Sequence, residues 1–599
     1  MFKIKNIIVT LFALTISTVA LTQTIGEKIK IDDYHIYKIT SLEPPTVEVV
    51  PDFAGPPYWN QIKPYGNLVI PDTVFYKNIL FKVTSIGKGA FYGCDNLISV
   101  VIPNSVKSFG ARSFIFCNRL TSINIPDSLR SIADCAFSYC SGITSVNIPD
   151  SVTSIGSYAF FECSGLTSVN IPKLLTSINN HTFFKCTSLT SVTFPDSLTS
   201  IEEYAFAYCS NLTSATIPNS VTSIGEFAFG YCSSLTSVNI PELITSIEIG
   251  TFFQCTNLIS ITIPEIVTEI GLGAFLSCES LTELTIPASV TSIGKGAFDG
   301  CIGLTSVTIP KSVTFIGNGA FRRCTSLTAI DVATENTEYI SENGVLFNYD
   351  KTTLITYPAG KVGASYDIPL SVDSIGIAAF EGSVHLTSIT VPEQITSISR
   401  YTFAKCAALE SVTLHNSLTS IGDAAFNSCS SLISITIPTT VKSIGDEAFI
   451  HCTGLTSITS LITDPRLVTL GEKVFFGVPK GTDANACALY VPEASLHQYQ
   501  NAWQWKDFIP NMFTSIEDTP QVSVIVYPNP ASDFLNIKSD TPICSFEIYD
   551  ALGRLVKYQT EMFDTENIID VSSLTYGIYF IKLHTTNGIA EHKVVIRVY

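Results

Sequence analysis

At 599 residues the chain has room for several domains, yet charged residues make up only 14% of it and the formal net charge is −18. An acidic chain without a basic stripe repels nucleic acid and anionic lipid, so both are set aside as partners. Seventeen cysteines would suggest disulfides in a secreted protein, but their spacing leads elsewhere.

Residues 1–22 read as a secretory signal. Lys3 and Lys5 supply the positive start, an apolar run follows from Ile7 to Ala20, and cleavage is expected after Ala20 or Thr22. The run is too short and too polar to span a bilayer, so the mature chain is expected to have no transmembrane span. Residues 23–82 carry no repeat and are expected to cap the array behind them. Extended stretches at 34–40 and 47–51 are interrupted by prolines, and Tyr58 and Trp59 read as cap packing, with a ligand platform as the alternative.

Residues 83–478 repeat. A cysteine recurs every 23 residues from Cys94 to Cys324, and the phase resumes at Ser383, Cys406, Cys429 and Cys452. A phenylalanine three residues earlier keeps step from Phe91 to Phe321 and from Phe380 to Phe449, and a stretched copy ends at Phe475, making sixteen copies. A fixed period in this range means a solenoid. In one copy, Leu166, Val169 and Ile171 alternate with Ser168 and Asn170 as in a half-buried strand. Pro172 stops the pairing, Leu175 and Ile178 mark a second short extended piece, and Phe183 and Cys186 share one helical turn. Glycine after the second isoleucine (Gly156, Gly225, Gly294, Gly422) suits a turn with positive φ. Fourteen of the cysteines occupy one repeat position, so they should stack about 4.8 Å apart with parallel side chains. That geometry disfavours bridging, and buried thiols are expected. Cys135 is the thiol expected to be exposed.

The consensus Leu-x-x-Val-x-Ile-Pro-x-x-Val-Thr-x-Ile-Gly-x-x-Ala-Phe-x-x-Cys resembles the leucine-rich repeat of the BspA-like, or treponemal, class. The resemblance implies a mainly β solenoid: a right-handed superhelix of about sixteen 23-residue repeats with non-repeat caps. Residues 332–371 interrupt it, and Asn343-Gly344 signals a β-hairpin in an enlarged repeat. Residues 479–513, with Trp503 and Trp505, read as a closing cap; a carbohydrate platform is the alternative. A polar linker follows at 514–521.

The period is gone from residues 522–599. Short alternating strands at 535–537, 545–549, 577–583 and 593–598 fit a small antiparallel, Ig-like sandwich. Three motifs occur in order: Tyr527-Pro528-Asn529-Pro530, then Asp550 with Gly553-Arg554, then Gly577 with Tyr579. They resemble the type A sorting domain of the Bacteroidetes type IX secretion system. That resemblance implies handling by the secretion machinery, passage through the outer membrane, removal of the tail, and release or attachment to a surface lipopolysaccharide.

No catalytic motif is present: there is no His-Glu-x-x-His, Gly-x-Ser-x-Gly, P-loop or Cys-x-x-Cys. The eight histidines lack ligand spacing, and His181 and His451 are expected to be solvated. No enzyme, cofactor or metal site is expected. What the repeat presents is a polar strand face. Its candidate binding residues are Ser122, Asn124, Ser145, Asn147, Ser168, Asn170, Ser191, Thr193, Ser237 and Asn239, short side chains that hydrogen-bond at little entropic cost. The same residue types would also clothe an idle solvated sheet. Asp72-Thr73-Val74, Asp127-Ser128-Leu129, Asp150-Ser151-Val152 and Asp196-Ser197-Leu198 resemble the Bacteroidetes O-glycosylation acceptor.

The BspA-like resemblance implies adhesion to host matrix proteins, host cells or other bacteria by an exported surface protein. The alternatives are a self-associating surface coat and a glycan-binding accessory that uses Trp59, Trp503 or Trp505.

Overall fold

The structure, a computed structural model, describes residues 24–55, 58–59, 63–481, 486–509, 511–514, 524–529, 531–550, 554–560, 564–585 and 588–597. The expected signal, most of the linker, Pro530 and Gly553 lie outside these residues. Contacts divide the chain into two units. One lies within Met1–Ser457, Leu467–Pro479 and Asn485–Cys487, the other within Ile458–Arg466, Lys480–Ala484 and Ala488–Tyr599.

The first unit is the solenoid. Most turns contribute a first strand such as Ser168–Asn170 and a second such as Ser177–Ile178. Within a sheet these pair in parallel with their counterparts 23 residues on: Ser168 with Ser191, and Ser177 with Ser200. Between the second strand and the next first strand runs an outer loop that buries the phenylalanine and the cysteine. A single turn has too little apolar surface to hold itself together, so stability comes from stacking. From Phe91 to Phe321 consecutive rings lie 5.0–6.0 Å apart and within 15° of parallel. At the N-terminal end, Pro45–Val49 and Ile79–Ile86 extend the second-strand ladder, while Gly66–Val69 extends the first. Tyr58 and Trp59 are buried there.

All ladder cysteines are free and buried. From Cys117 onward each Sγ donates to the carbonyl of the phenylalanine one turn back, as in Cys163 to Phe137 O (3.1 Å) and Cys209 to Phe183 O (3.2 Å). The position therefore asks for a small apolar group that also carries a weak donor, and Cys meets both demands. Burial pushes the thiols of Cys163, Cys232, Cys278, Cys324 and Cys406 up to about 12, which keeps them protonated and inert. Cys135 and Cys544 are only half-buried.

The glycine expectation is corrected. Gly156, Gly225, Gly294 and Gly422 do not have positive φ. Glycine serves there because the turns approach closely: a Cβ on Gly156 would lie 2.4 Å from Asp134 N, and one on Gly294 2.6 Å from the Gly271 carbonyl carbon. The left-handed residues stand two and six positions later, as at Tyr158 (φ 60°) and Glu162 (φ 54°).

Within 332–371 a hairpin forms from Tyr339–Glu342 and Val345–Asn348, and Thr353–Thr356 pairs against its second strand. A turn in phase with the following block then begins. Thr353 and Leu354 pair in parallel with Ser374 and Ile375, and Tyr357 stacks on Phe380 at 5.0 Å, 23 residues before it. Pro358 and Gly360 stand where a full outer loop would continue. The loops on either side consequently meet, and Arg323 N donates to Glu381 O. Charges fill the junction. Fully buried Asp299 accepts from Arg322 Nε (2.6 Å) and Arg323 Nε (2.7 Å), and Arg322 Nη1 lies 3.3 Å from Glu381, itself 4% exposed. Burial raises the Glu381 carboxyl, opposed by Arg322, Arg323 and Lys405.

In the second unit, Ala488–Val491 pairs in parallel with Met512–Thr514, and the short helix Leu496–Asn501 places Tyr499 beside Trp505. The tail has two antiparallel sheets. One is Val524–Tyr527, Phe534–Ser539 and Glu566–Asp570; the other is Leu555–Thr560, Ile543–Asp550, Gly577–Thr585 and Gly588–Ile596. Leu535, Ile537, Phe546, Ile548, Ile581 and Leu583 are among the side chains of their own core.

Candidate binding face and sorting tail

The period-2 alternation puts Val169 inside and Ser168 and Asn170 outside. All ten candidate residues, Ser122, Asn124, Ser145, Asn147, Ser168, Asn170, Ser191, Thr193, Ser237 and Asn239, are exposed. Parallel register aligns the serines: Ser145, Ser168, Ser191, Ser214 and Ser237 form one straight row across five strands.

The two ladders differ in their hydrogen bonds. Asn170 turns its amide onto the preceding strand, with Nδ2 donating to Ile148 O (2.8 Å) and Oδ1 accepting from Ile148 N (3.2 Å). Asn124 bonds both backbone groups of Ile102 in the same way, and Asn239 those of Ile217. These three asparagines complete the backbone pairing where the strands end, so their amides are already committed. The row serines make no intramolecular side-chain hydrogen bond among the described residues. Their hydroxyls are available to a partner.

Where the row reaches Ser214 and Ser237, the first-strand sheet stops. Between Ser237 and Ser306 a single bridge, Ser260 to Glu283, joins the first-strand positions, and strand pairing resumes with Ser306–Ile309 against Ala329–Val332. A depression of about 480 Å³ lies there, lined by Ser214, Ser237, Asn239 and Ser260 and edged by Asn219 and Glu242. A second, of about 420 Å³, runs past Asn147, Asp150 and Asn170.

Other hydroxyls bind turn to turn. Thr167 Oγ1 donates to Thr144 O (3.0 Å), and Thr190 Oγ1 to Thr167 O (3.1 Å). After the repeat proline, Ser128, Ser151 and Ser197 donate to the carbonyls of Val106, Leu129 and Leu175. Three of the four glycosylation-like hydroxyls are thereby engaged and only partly exposed. The Ser and Thr wealth of the chain is in large part this inter-turn bonding, a role that sequence reading did not assign.

The aromatic platform loses most of its residues. Trp59 is 4% exposed and Trp505 is fully buried, leaving Trp503 as the exposed tryptophan. His181 is also corrected: it stacks between Tyr158 (4.6 Å) and Tyr204 (4.8 Å), and burial lowers its pKa. His451 is exposed. Among the described residues no group of three or more His, Cys, Asp or Glu side chains is arranged to hold a metal ion, and no helix is long and apolar enough to cross a membrane.

In the tail, the motif residues hold the sheets. Asn529 Nδ2 donates to Lys593 O (2.8 Å) and its Oδ1 accepts from Val595 N (2.8 Å). Tyr527 and Pro528 precede it across a cis peptide bond. Asp550 accepts from Arg554 N (3.0 Å) and Nε (2.8 Å), tying the end of one strand to the start of the next. Gly577 starts the next strand, and buried Tyr579 donates its hydroxyl to Thr575 O (2.9 Å).

Comparison with known proteins matches residues 73–480 to the BspA type leucine rich repeat region, in overlapping segments, and residues 525–597 to the secretion system C-terminal sorting domain. Similar solved structures include a leucine-rich repeat protein from Bacteroides ovatus, 24% identical over 82% of this chain and 100% of that one (TM-score 0.34). A leucine rich cell surface protein from Faecalibacterium prausnitzii is 25% identical over 75% and 95% (TM-score 0.32). A leucine-rich repeat protein of T. pallidum is 26% identical over 43% and 92% (TM-score 0.23). No curated protein matches. The chain belongs to the BspA-type leucine-rich repeat family and carries a C-terminal sorting domain of the type IX secretion system, which directs it across the outer membrane to the cell surface or the surroundings.

Proposed function

We propose that the protein is a non-enzymatic adhesion or interaction module whose solenoid binds a protein partner on the first-strand face. The observation that carries this reading is the in-register row Ser145, Ser168, Ser191, Ser214 and Ser237, whose hydroxyls are exposed and uncommitted while the neighbouring Asn124, Asn170 and Asn239 serve the backbone. A partner with an extended polar surface, such as a host matrix protein or another bacterium's surface protein, can bond such a row at successive steps of about 4.8 Å. Uncharged hydroxyls also escape the salt screening that weakens exposed ion pairs.

The test passes the purified chain over immobilised fibronectin, laminin, collagen, mucin and a blank. Saturable retention on one surface that survives about 1 M salt supports the reading. Retention on none of them defeats it. Light scattering run in parallel, showing mass that rises with concentration, would instead favour a self-associating coat.

The tail is proposed to be recognised by the secretion machinery and then removed, leaving the solenoid free or attached to surface lipopolysaccharide. Mass spectrometry of the extracellular form tests this: a chain still carrying residues 525–597 contradicts removal.

A further inference from the structure

The outer loops carry a second column besides the phenylalanines, at the left-handed position two residues past the close-approach site. There Tyr158, His181, Tyr204 and Phe227 stack with centroids 4.6–5.0 Å apart. The next four turns carry Gly250, Gly273, Gly296 and Gly319, all with φ between 57° and 65°, and the turn through Phe380 carries Ala378. Tyr401 ends the gap. The backbone keeps its conformation while the side chains vanish, so the column opens into a cavity of about 390 Å³.

The lining of this cavity runs against the composition of the chain. Lys295, Arg322 and Arg400 converge on it in a protein of net charge −18. Its one lining carboxylate, Asp299, is fully buried and already bonded to Arg322 and Arg323. Lys295 is exposed and forms no ion pair among the described residues. Arg400 donates to Tyr401 Oη (3.1 Å) and stands 3.9 Å from Asp423, with its guanidinium 4.7 Å from the Tyr401 ring centroid. Leu272, Leu276 and Ile377 supply apolar walls. The volume lies within the range of small-molecule sites, which pair apolar walls with a few convergent polar groups. Guanidinium and ammonium groups prefer carboxylate oxygens.

We propose that this cavity is a binding site for a small organic carboxylate. The carboxylate is held by Lys295 and Arg400 at the mouth, with Arg322 behind, and the apolar body rests on Leu272, Leu276 and Ile377. The site is independent of the serine row.

Calorimetric titration of the full chain with phenylacetate, its neutral isostere phenylacetamide, and glucuronate tests the assignment. Phenylacetate is expected to bind saturably with a dissociation constant of about 1 mM or tighter, at least tenfold tighter than phenylacetamide and more tightly than the hydroxylated glucuronate. Lys295→Met with Arg400→Met, both on exposed side chains, is expected to weaken phenylacetate at least tenfold. Gly296→Tyr is expected to abolish the heat at a melting temperature lowered only slightly, by the cost of a side chain at positive φ. Tyr158 and Tyr204 hold the same position at φ 60° and 54°, and a Cβ on Gly296 would meet nothing nearer than Asp299 Cβ at 3.6 Å. Any of three results overturns the site: no saturable heat at roughly 10 mM phenylacetate, equal affinity for the amide, or unchanged binding in the double variant. Glucuronate binding more tightly than phenylacetate would overturn the role of the apolar walls.

Discussion

The regular block from Phe91 to Phe321 and the junction around Glu381 solve one packing problem in opposite ways. In the block every turn finds an identical neighbour, so apolar rings, thiols and short hydroxyls suffice, each bonded or stacked one turn away. At the junction the turn through Tyr357 lacks a full outer loop, and its neighbours face each other across it. Asp299, Arg322, Arg323 and Glu381 occupy that place, and Ser383 replaces the ladder cysteine, donating to Phe380 O within its own turn (2.8 Å). Periodic apolar stacking thus needs an intact neighbour. Where the neighbour is incomplete, longer side chains with directional bonds bridge the distance.

Alkali should separate the two regions most strongly. A thiol ionises near 9.0 when unfolded, and the block thiols of Cys163, Cys232 and Cys278 are pushed to about 12 by burial. The folded state therefore holds its protons longer. The stability these thiols provide is complete below pH 9 and falls as pH rises toward 12, by about 1.4 kcal/mol per pH unit for each thiol. Circular dichroism against pH should show the block unfolding steeply above pH 9, and replacing several ladder cysteines by alanine should flatten that slope.

Phe206→Ala comes next. Its ring is fully buried between Phe183 and Phe229, and truncation should cost about 4 kcal/mol in denaturant unfolding. Asp299→Ala should cost about 3 kcal/mol, because it removes the fully buried carboxylate that binds both Arg322 and Arg323 and leaves them only the more distant Glu381. Raised salt should recover little of that loss, since Asp299 is fully buried and the arginines are only 30% and 29% exposed. Removal of one amide bridge by Asn170→Ala should cost about 1 kcal/mol. Ser168→Ala, on the same strand, should stay within about 0.5 kcal/mol of wild type. Equal losses at Asn170 and Ser168 would erase the distinction between the two ladders.

Most of the solenoid was legible because one turn states the rule and the period repeats it. The phenylalanine and cysteine columns, the two strands and the exposed Ser168 and Asn170 all follow from 23-residue spacing and alternation. Contacts between turns were not legible in the same way. That Asn170 bonds Ile148, or that Gly156 is small because Asp134 sits against it, depends on the offset between neighbouring turns, which no single copy contains. The turn through Tyr357 was hidden because Tyr stands for Phe and Gly360 for Cys. In the tail, Leu555–Thr560 was missed because it is an edge strand exposed along nearly its whole length and shows no alternation. The candidate face was readable as a set of residues, but the division of its side chains into committed and available ones was not.

The most direct measurement is retention of the triple variant Ser145→Arg, Ser168→Arg, Ser191→Arg on the immobilised surface that holds the wild-type chain, with the melting temperature followed alongside. Three long charged side chains would obstruct the serine row without touching the core, so retention should be lost while the melting temperature stays near wild type. Undiminished retention would contradict the first-strand face as the binding surface.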